Sequence, residues 1–134
     1  MSYPTLAIEQ LFSVKGKTAV VTGGSRGIGL MIAKGYIENG AKVYISSRKA
    51  EVCNEVAEEL SKVGECISIP ADLANREGWD TLVNGIKENE DSLDILVNNA
   101  GLHHRGPFGA ISIPLEAAHA DRAAGQGDIR ESGR

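Results

Sequence analysis

Apolar residues alternate between short continuous runs and longer helical stripes from Lys17 to Gly101. The runs at 18–22, 42–46, 66–69 and 93–97 are typical of strands buried inside a parallel sheet. Between them, residues 27–39, 50–63 and 76–88 repeat apolar side chains at helical spacing. Short connections join these elements in the order β-α-β-α-β-α-β, which predicts right-handed crossovers. We therefore expect an α/β fold with a Rossmann-type, doubly wound parallel sheet.

The last two stripes predict which side chains are buried. Over 76–88 the spacing predicts a single buried face made by Trp79, Leu82, Val83 and Ile86. Over 50–63 one side is apolar and the other is rich in glutamate, where Glu58 and Lys62 have the spacing of an i,i+4 ion pair. The apolar stripe of that helix is Val52, Cys53, Val56, Ala57, Leu60 and Val63.

The pattern changes after Gly101, and we divide the chain accordingly. Residues 1–16 form an N-terminal extension, 17–101 a Rossmann half-domain, and 102–134 an atypical tail that we expect to be weakly ordered. The tail has no lysine and all three histidines. Residues 114–118 could start a short helix, but no fifth strand is evident. The fold is therefore expected to stop after about four strands.

Composition narrows the classes of function. The net charge of −4 and pI of about 5.4 argue against a nucleic-acid partner. No apolar run approaches the ~18 residues of a membrane span, and the first residues do not resemble a secretory signal, so we expect a cytoplasmic location. Cys53 and Cys66 lack metal-ligand spacing and are expected to be reduced, buried thiols. We predict no metal site.

A glycine-rich loop lies between the first predicted strand and the first long helix. It reads Thr22-Gly23-Gly24-Ser25-Arg26-Gly27-Ile28-Gly29, which is T-G-x-x-x-G-x-G. Glycines let a backbone turn tightly and approach a diphosphate, whose charge is favoured by the free N–H groups at a helix N-terminus. The alternative is a tight turn without a ligand. The flanking strand and helix favour dinucleotide binding.

The end of the second strand indicates which dinucleotide. A site for NAD commonly has Asp or Glu there to bind the ribose 2′-hydroxyl. This chain has Ser46-Ser47-Arg48-Lys49 instead. A guanidinium binds a 2′-phosphate through charge-assisted hydrogen bonds, and Arg26 can approach it from the loop. Arg48 alone could be an ordinary surface residue, but the two arginines together favour NADP.

Two further motifs follow the third and fourth predicted strands. Asp72-Leu73 comes just after the third, where Asp72 could simply cap a turn or the next helix. Asn98-Asn99-Ala100-Gly101 closes the fourth, where paired amides are commonly turn formers.

These four motifs, in this order, resemble those of the short-chain dehydrogenase/reductase family over residues 17–101. The chain most resembles the branch of 3-oxoacyl-carrier-protein and rhamnolipid-type reductases. The resemblance implies that Asp72 and Leu73 contact the adenine and that Asn99 touches the cofactor, while the asparagines tie neighbouring strands together. The implied NADP-binding residues are Gly23, Ser25, Arg26, Gly27, Ile28, Gly29, Arg48, Asp72, Leu73, Asn99, Ala100 and Gly101.

The same resemblance implies a catalytic set that these 134 residues lack. Family enzymes transfer hydride between a nicotinamide and a carbonyl or alcohol, using a Ser and a Tyr-x-x-x-Lys motif beyond the last cofactor motif. Here the tyrosines are Tyr3, Tyr36 and Tyr44, and the last lysine is Lys87. We assign no catalytic residue and expect little or no turnover. His103, His104 and His119 have no evident partner and are expected to be loop residues.

Three interpretations follow from this pattern. The first is the NADP-binding portion of a reductase, with a shifted reading frame or a retained intron accounting for the tail. The second is a non-catalytic NADP(H)-binding or interaction module that associates with another chain through the open edge of the fourth strand. The third is a truncated product without function. A small-molecule substrate is expected only for a complete family member.

Overall fold

The computed structural model describes residues 3–101, which form a four-stranded parallel sheet with helices on both faces. The elements in chain order are α1 (Ile8–Leu11), β1 (Thr18–Thr22), α2 (Gly27–Glu38), β2 (Lys42–Ser46), α3 (Ala50–Leu60), β3 (Cys66–Ser68), α4 (Arg76–Lys87) and β4 (Ile95–Val97). The strand order is β3-β2-β1-β4. The predicted fold class is therefore confirmed. The calls on residues 102–134, including a helix at 114–118, lie outside the described residues.

Each strand is parallel to its neighbour, and the register is set along β1 and β2. Thr18 to Thr22 pair with Lys42 to Ser46, and Ala19 to Val21 pair with Ile95 to Val97. On the other side of β2, Val43 to Ile45 pair with Cys66 to Ser68. This register brings the carboxyl ends of β1, β2 and β4 to one edge of the sheet, where a doubly wound fold binds its ligands.

The core has two layers because alternate strand residues point to opposite faces. On one face α2 and α3 cover the sheet with Ala33, Ile37, Cys53, Ala57 and Leu60. On the other face α4 contributes Leu82, which is 2% exposed and packs with Val20 and Tyr44. The second layer is much thinner than the first, since a single helix covers that face within the described residues.

Several predicted boundaries and faces need correction. The third helix ends at Leu60, so Val63 lies in the following turn and is 60% exposed. Lys62 pairs with Glu59 at 2.6 Å and not with Glu58. The helical i,i+4 spacing does not apply, because α3 ends at Leu60 and Lys62 lies in the turn that follows. β4 begins at Ile95, two residues later than predicted, and β3 and α4 each end one residue earlier.

The predicted single buried face of α4 is only partly right. Leu82 is buried and Ile86 is half-buried, whereas Trp79 is 38% and Val83 is 42% exposed. The helix contacts the sheet along one flank of its apolar stripe, so the other flank stays in solvent. The spacing identified an apolar surface without identifying what covers it.

The N-terminal residues lie against the second half of α2. A groove of about 640 Å³ between them is lined by Ile8, Phe12, Val14, Ile32 and Tyr36 among others. None of the predicted cofactor-binding residues lines this groove. It therefore lies apart from the edge of the sheet where the motifs meet.

A charged cluster ties β2 to the segment after α4. The Glu90 carboxylate forms an ion pair with Lys42 and accepts a hydrogen bond of 2.7 Å from the Tyr44 hydroxyl. Lys42 also lies 3.3 Å from Glu65 and over the Tyr44 ring. The hydrogen bond to Lys42 lowers the pKa of Glu90, and that same bond raises the pKa of Lys42. Burial raises the pKa of Tyr44.

This cluster predicts an acid-sensitive contribution to stability. A carboxylate whose pKa is lowered by folding stabilises the fold above its unfolded pKa, and that contribution is lost as the pH falls through the lowered value. We expect Glu90→Gln to unfold at lower urea concentration at pH 7, and to lose less stability than the unmodified chain below pH 4.5, the ordinary glutamate value. Glu55→Gln, on the exposed side of α3, is the control and should follow the unmodified chain at every pH. Equal acid dependence for Glu90→Gln would contradict this role.

Candidate functional site

The predicted motifs meet at the carboxyl edge of the sheet. The glycine-rich loop runs from the end of β1 to Gly27, the first residue of α2. Ser46 ends β2 directly beside it, and the Gly23 N–H donates to the Ser46 carbonyl at 2.8 Å. The segment after β4 reaches the same loop through Asn99 and Ala100. Three of the four motifs are thus joined by hydrogen bonds or chain continuity.

Two glycines are required by the shape of the loop. Gly23 has a φ of +67°, in the left-handed region that other residues rarely adopt. A β-carbon there would also lie 2.9 Å from the Asn99 amide nitrogen. At Gly29 a β-carbon would collide with the Gly23 carbonyl oxygen. The first turn of α2 and the loop therefore approach each other closely.

Thr22 and Asn99 hold this loop to the end of β4. The Thr22 hydroxyl donates to the Val97 carbonyl at 3.2 Å and accepts the Asn99 and Ala100 N–H groups, each at 3.0 Å. The Asn99 side-chain amide donates to the carbonyls of Thr22 and Gly23 at 3.1 and 3.3 Å. Asn99 thus binds backbone of the loop, which is the strand-tying role implied for the asparagines. Thr22 was not among the predicted site residues, because a threonine ending a buried strand looks like core.

The N-terminus of α2 is open to an anion. Its N-cap is Arg26, which makes no side-chain cap, and the first turn has no acidic residue. Within residues 3–101, no acceptor is bonded to the N–H groups of Gly27, Ile28 or Gly29. Free N–H groups and the helix dipole favour negative charge at this point.

The end of β2 is basic and has unused hydroxyls. Arg26 and Arg48 are both exposed, and no ion pair joins either to another described residue. The Oγ atoms of Ser46 and Ser47 are buried and have no hydrogen-bond partner in the described part of the chain. Buried hydroxyls without a partner are costly. Composition gave no reason to single out the two serines.

Asp72 and Leu73 follow β3, the strand at the far edge of the sheet. The Asp72 carboxylate accepts the Ala74 N–H at 3.0 Å and so holds a turn. The cap of α4 is Asn75, whose side chain accepts the Gly78 N–H at 2.8 Å. Of the two structural roles considered for Asp72, the turn is correct. Asn75 could have been found from its position just before the apolar stripe of α4.

Both cysteines are free and buried, and the Cys53 thiol donates to the Ile45 carbonyl near the end of β2 at 3.7 Å. Burial raises the pKa of the Cys66 thiol to about 12 and also raises that of Cys53. Thiols in this state are poor nucleophiles. Among residues 3–101, no group of three or more His, Cys, Asp or Glu side chains could hold a metal ion. His103, His104 and His119 lie outside the described residues.

Known proteins share this fold and these motifs. The family model described as short chain dehydrogenase matches residues 17–115. A rhamnolipid-biosynthesis 3-oxoacyl-carrier-protein reductase of Pseudomonas aeruginosa is 53% identical over 90 residues, which are 67% of this chain and 35% of that protein. The chain thus spans little more than a third of the length of the curated relatives it matches.

Two solved structures are similar to this chain in both fold and sequence. A P. aeruginosa RhlG complex with NADP matches with a TM-score of 0.65 and 53% identity, covering 68% of this chain and 37% of the other. An L-sorbose reductase of Gluconobacter frateurii, complexed with NADPH and L-sorbose, matches with a TM-score of 0.69 and 33% identity. That match covers 77% of this chain and 40% of the reductase.

The hydrogen bonds of Thr22 and Asn99 brace the end of β1 against the end of β4. This brace predicts the effect of removing the Thr22 hydroxyl. Thr22→Val keeps the shape of the side chain but leaves two N–H groups and a carbonyl without their partner, which costs about 1–3 kcal/mol. We expect this loss in the free energy of urea unfolding. The control Thr81→Val removes an exposed hydroxyl that bonds only within α4 and should change stability by less than about 0.5 kcal/mol. Equal effects of the two substitutions would contradict the brace.

Proposed function

The chain belongs to the short chain dehydrogenase family, and we propose that residues 17–101 are the NADP(H)-binding part of an oxidoreductase. The observation that carries this proposal is the braced loop that leaves the first N–H groups of α2 without acceptors in the described chain. The named complexes of two structural neighbours with NADP and NADPH support the choice of cofactor.

We place the diphosphate in front of the N-terminus of α2. Gly23, Ser25, Gly27, Ile28 and Gly29 supply backbone at this point, and the absent side chain of Gly29 lets α2 lie close to the Gly23 carbonyl. The N–H groups of the first turn donate to the phosphate oxygens, and the helix dipole adds to their attraction. The lack of an acidic residue in that turn leaves the attraction uncompensated.

We place the extra phosphate of NADP at the end of β2. Arg26 and Arg48 are exposed, basic and unpaired within the described residues, and residues 46–49 contain no carboxylate to repel a phosphate. The unpartnered hydroxyls of Ser46 and Ser47 lie at the same strand end. In this assignment Asp72 and Leu73 border the adenine, while Asn99, Ala100 and Gly101 border the ribose on the β4 side.

The choice of NADP over NAD predicts a charge-dependent preference. We expect the 134-residue chain to bind NADPH at least about tenfold more tightly than NADH, since a charge-assisted hydrogen bond contributes about 1.5–3 kcal/mol. Arg48→Gln should remove most of that preference by weakening only NADPH. Titration of nicotinamide fluorescence measures both affinities.

A matched control separates local contacts from net charge. Lys62→Gln makes the same change in charge on the exposed turn after α3 and should leave both affinities unchanged. Stronger binding of NADH than NADPH by the unmodified chain would contradict the assignment.

Catalysis needs groups beyond those that hold the cofactor. A bound nicotinamide supplies or accepts the hydride, while a protein acid must exchange a proton with the substrate oxygen. After Asn98 the 134 residues contain no Tyr or Lys for that task. We therefore propose that these 134 residues by themselves bind the cofactor without turning it over. A cytoplasmic location is a separate part of the proposal.

An assay of NADPH oxidation tests this second part. With a 3-oxoacyl thioester as substrate, we expect the rate with the purified 134-residue chain to equal the rate without protein. The P. aeruginosa reductase named above serves as the positive control. Protein-dependent oxidation that follows the concentration of the chain would contradict the proposal.

The edge of β4 supports an additional role. Within the described residues this strand pairs only with β1, so its other side offers free backbone groups to another chain. We propose association through this edge.

No helix in the described part of the chain is both long and apolar enough to cross a membrane.

A further inference from the structure

Two asparagines of this chain are followed by glycine, at Asn39-Gly40 and Asn84-Gly85. In such a pair the glycine nitrogen can attack the amide carbon of the asparagine side chain, because glycine has no β-carbon to obstruct the approach. Both asparagines are exposed, so solvent reaches each of them. The difference in their reactivity therefore depends on the backbone that surrounds them.

The backbone around Asn84 is held on both sides. Asn84 and Gly85 lie inside α4, and the Asn84 carbonyl accepts the Glu88 N–H at 3.0 Å. The Gly85 carbonyl accepts the Asn89 side-chain amide at 2.9 Å. A β-carbon on Gly85 would lie 3.0 Å from the Cδ1 atom of Ile69, so this turn of the helix is also packed against the segment after β3.

The backbone around Asn39 is held less firmly. Asn39 is the C-cap of α2, with φ −98° and ψ 14°, and Gly40 has a φ of +86°. The Gly40 N–H donates to the Ile37 carbonyl at 3.0 Å, the tighter spacing of a helix end. Within residues 3–101 no donor is bonded to the Asn39 carbonyl. The attack requires the backbone to rotate at either pair, and helix ends open more readily than packed helix.

We propose that Asn39 is a site of spontaneous deamidation. The Gly40 nitrogen bonds to Cγ of Asn39, the Cγ–Nδ2 bond breaks, and Nδ2 leaves as ammonia with the proton of the Gly40 N–H. The resulting succinimide adds water and opens at either of its carbonyls, which gives aspartate or isoaspartate at position 39. Water is the only co-reactant, and nothing is oxidised or reduced.

The product weakens the end of α2. In the folded chain the Asn39 side-chain amide donates to the Gly35 carbonyl at 2.7 Å, which a carboxylate cannot do. Negative charge at the C-terminus of a helix is unfavourable, and the last turn of α2 has no basic residue to offset it. Isoaspartate also lengthens the main chain just before Ala41, whose N–H donates to the Tyr36 carbonyl at 3.0 Å. The modification thus replaces a helix cap with a repulsive charge.

Peptide mass spectrometry of the 134-residue chain, sampled during incubation in mildly alkaline buffer, tests the assignment. We expect Asn39 in the folded chain to convert at least about tenfold faster than Asn84, because a helix end opens at lower free energy than packed helix. In concentrated urea, where neither helix is formed, the two rates should become similar. Asn39→Gln should remove the conversion at position 39 and leave that of Asn84 unchanged.

Urea unfolding tests the effect on α2. Asn39→Asp reproduces the charge of the product and should unfold at lower urea concentration than the unmodified chain. Gln10→Glu adds the same charge at an exposed position of α1 and should leave the midpoint unchanged.

Each contrary outcome has a distinct reading. Equal conversion of Asn39 and Asn84 in the folded chain would overturn the proposal, as would an Asn39 that stays intact while the chain in urea converts. An Asn39→Asp variant as stable as the unmodified chain would overturn the weakening of α2. Circular dichroism before incubation verifies that each sample is folded.

Discussion

The hydroxyl of Thr22 is the point on which the shape of the cofactor edge depends. It bonds to three backbone groups of the β4 end, and Asn99 returns two hydrogen bonds to the loop that follows Thr22. These contacts fix the loop without using the first N–H groups of α2. A loop held by its own helix would have consumed the donors that an anion needs. In the proposed assignment, the fold therefore keeps an anion site open at the N-terminus of α2, and this site requires β4.

The proposed cofactor edge thus depends on a short strand at the side of the sheet. β4 is only Ile95–Val97 and pairs on one side within the described residues, yet it carries the asparagine that braces the loop. Loss of β4 would therefore also remove the hydrogen bonds that Asn99 makes to the carbonyls of Thr22 and Gly23.

Much of the fold could be predicted from the sequence because its strands are buried runs and its helices have clear apolar stripes. The glycine spacing and the missing acid after β2 placed the candidate site at the carboxyl edge of the sheet, where hydrogen bonds and chain continuity bring three of the four motifs together. The remainder depends on neighbours that are distant along the chain. Thr22 contributes through its hydrogen bond to Val97, which is distant along the chain. Trp79 and Val83 are exposed because no described element covers that flank of α4. The family match extends past Gly101 to residue 115, beyond the predicted boundary.

Hydrogen exchange of the backbone amides tests the central claim, that the braced loop encloses a nucleotide diphosphate. On addition of NADPH the account predicts slower exchange at residues 23–29, 47–48 and 99–101, with residues 55–64 unchanged. A sample that is folded, as judged by protection of β1 and β2, but shows no change at residues 23–29 at saturating NADPH would contradict it.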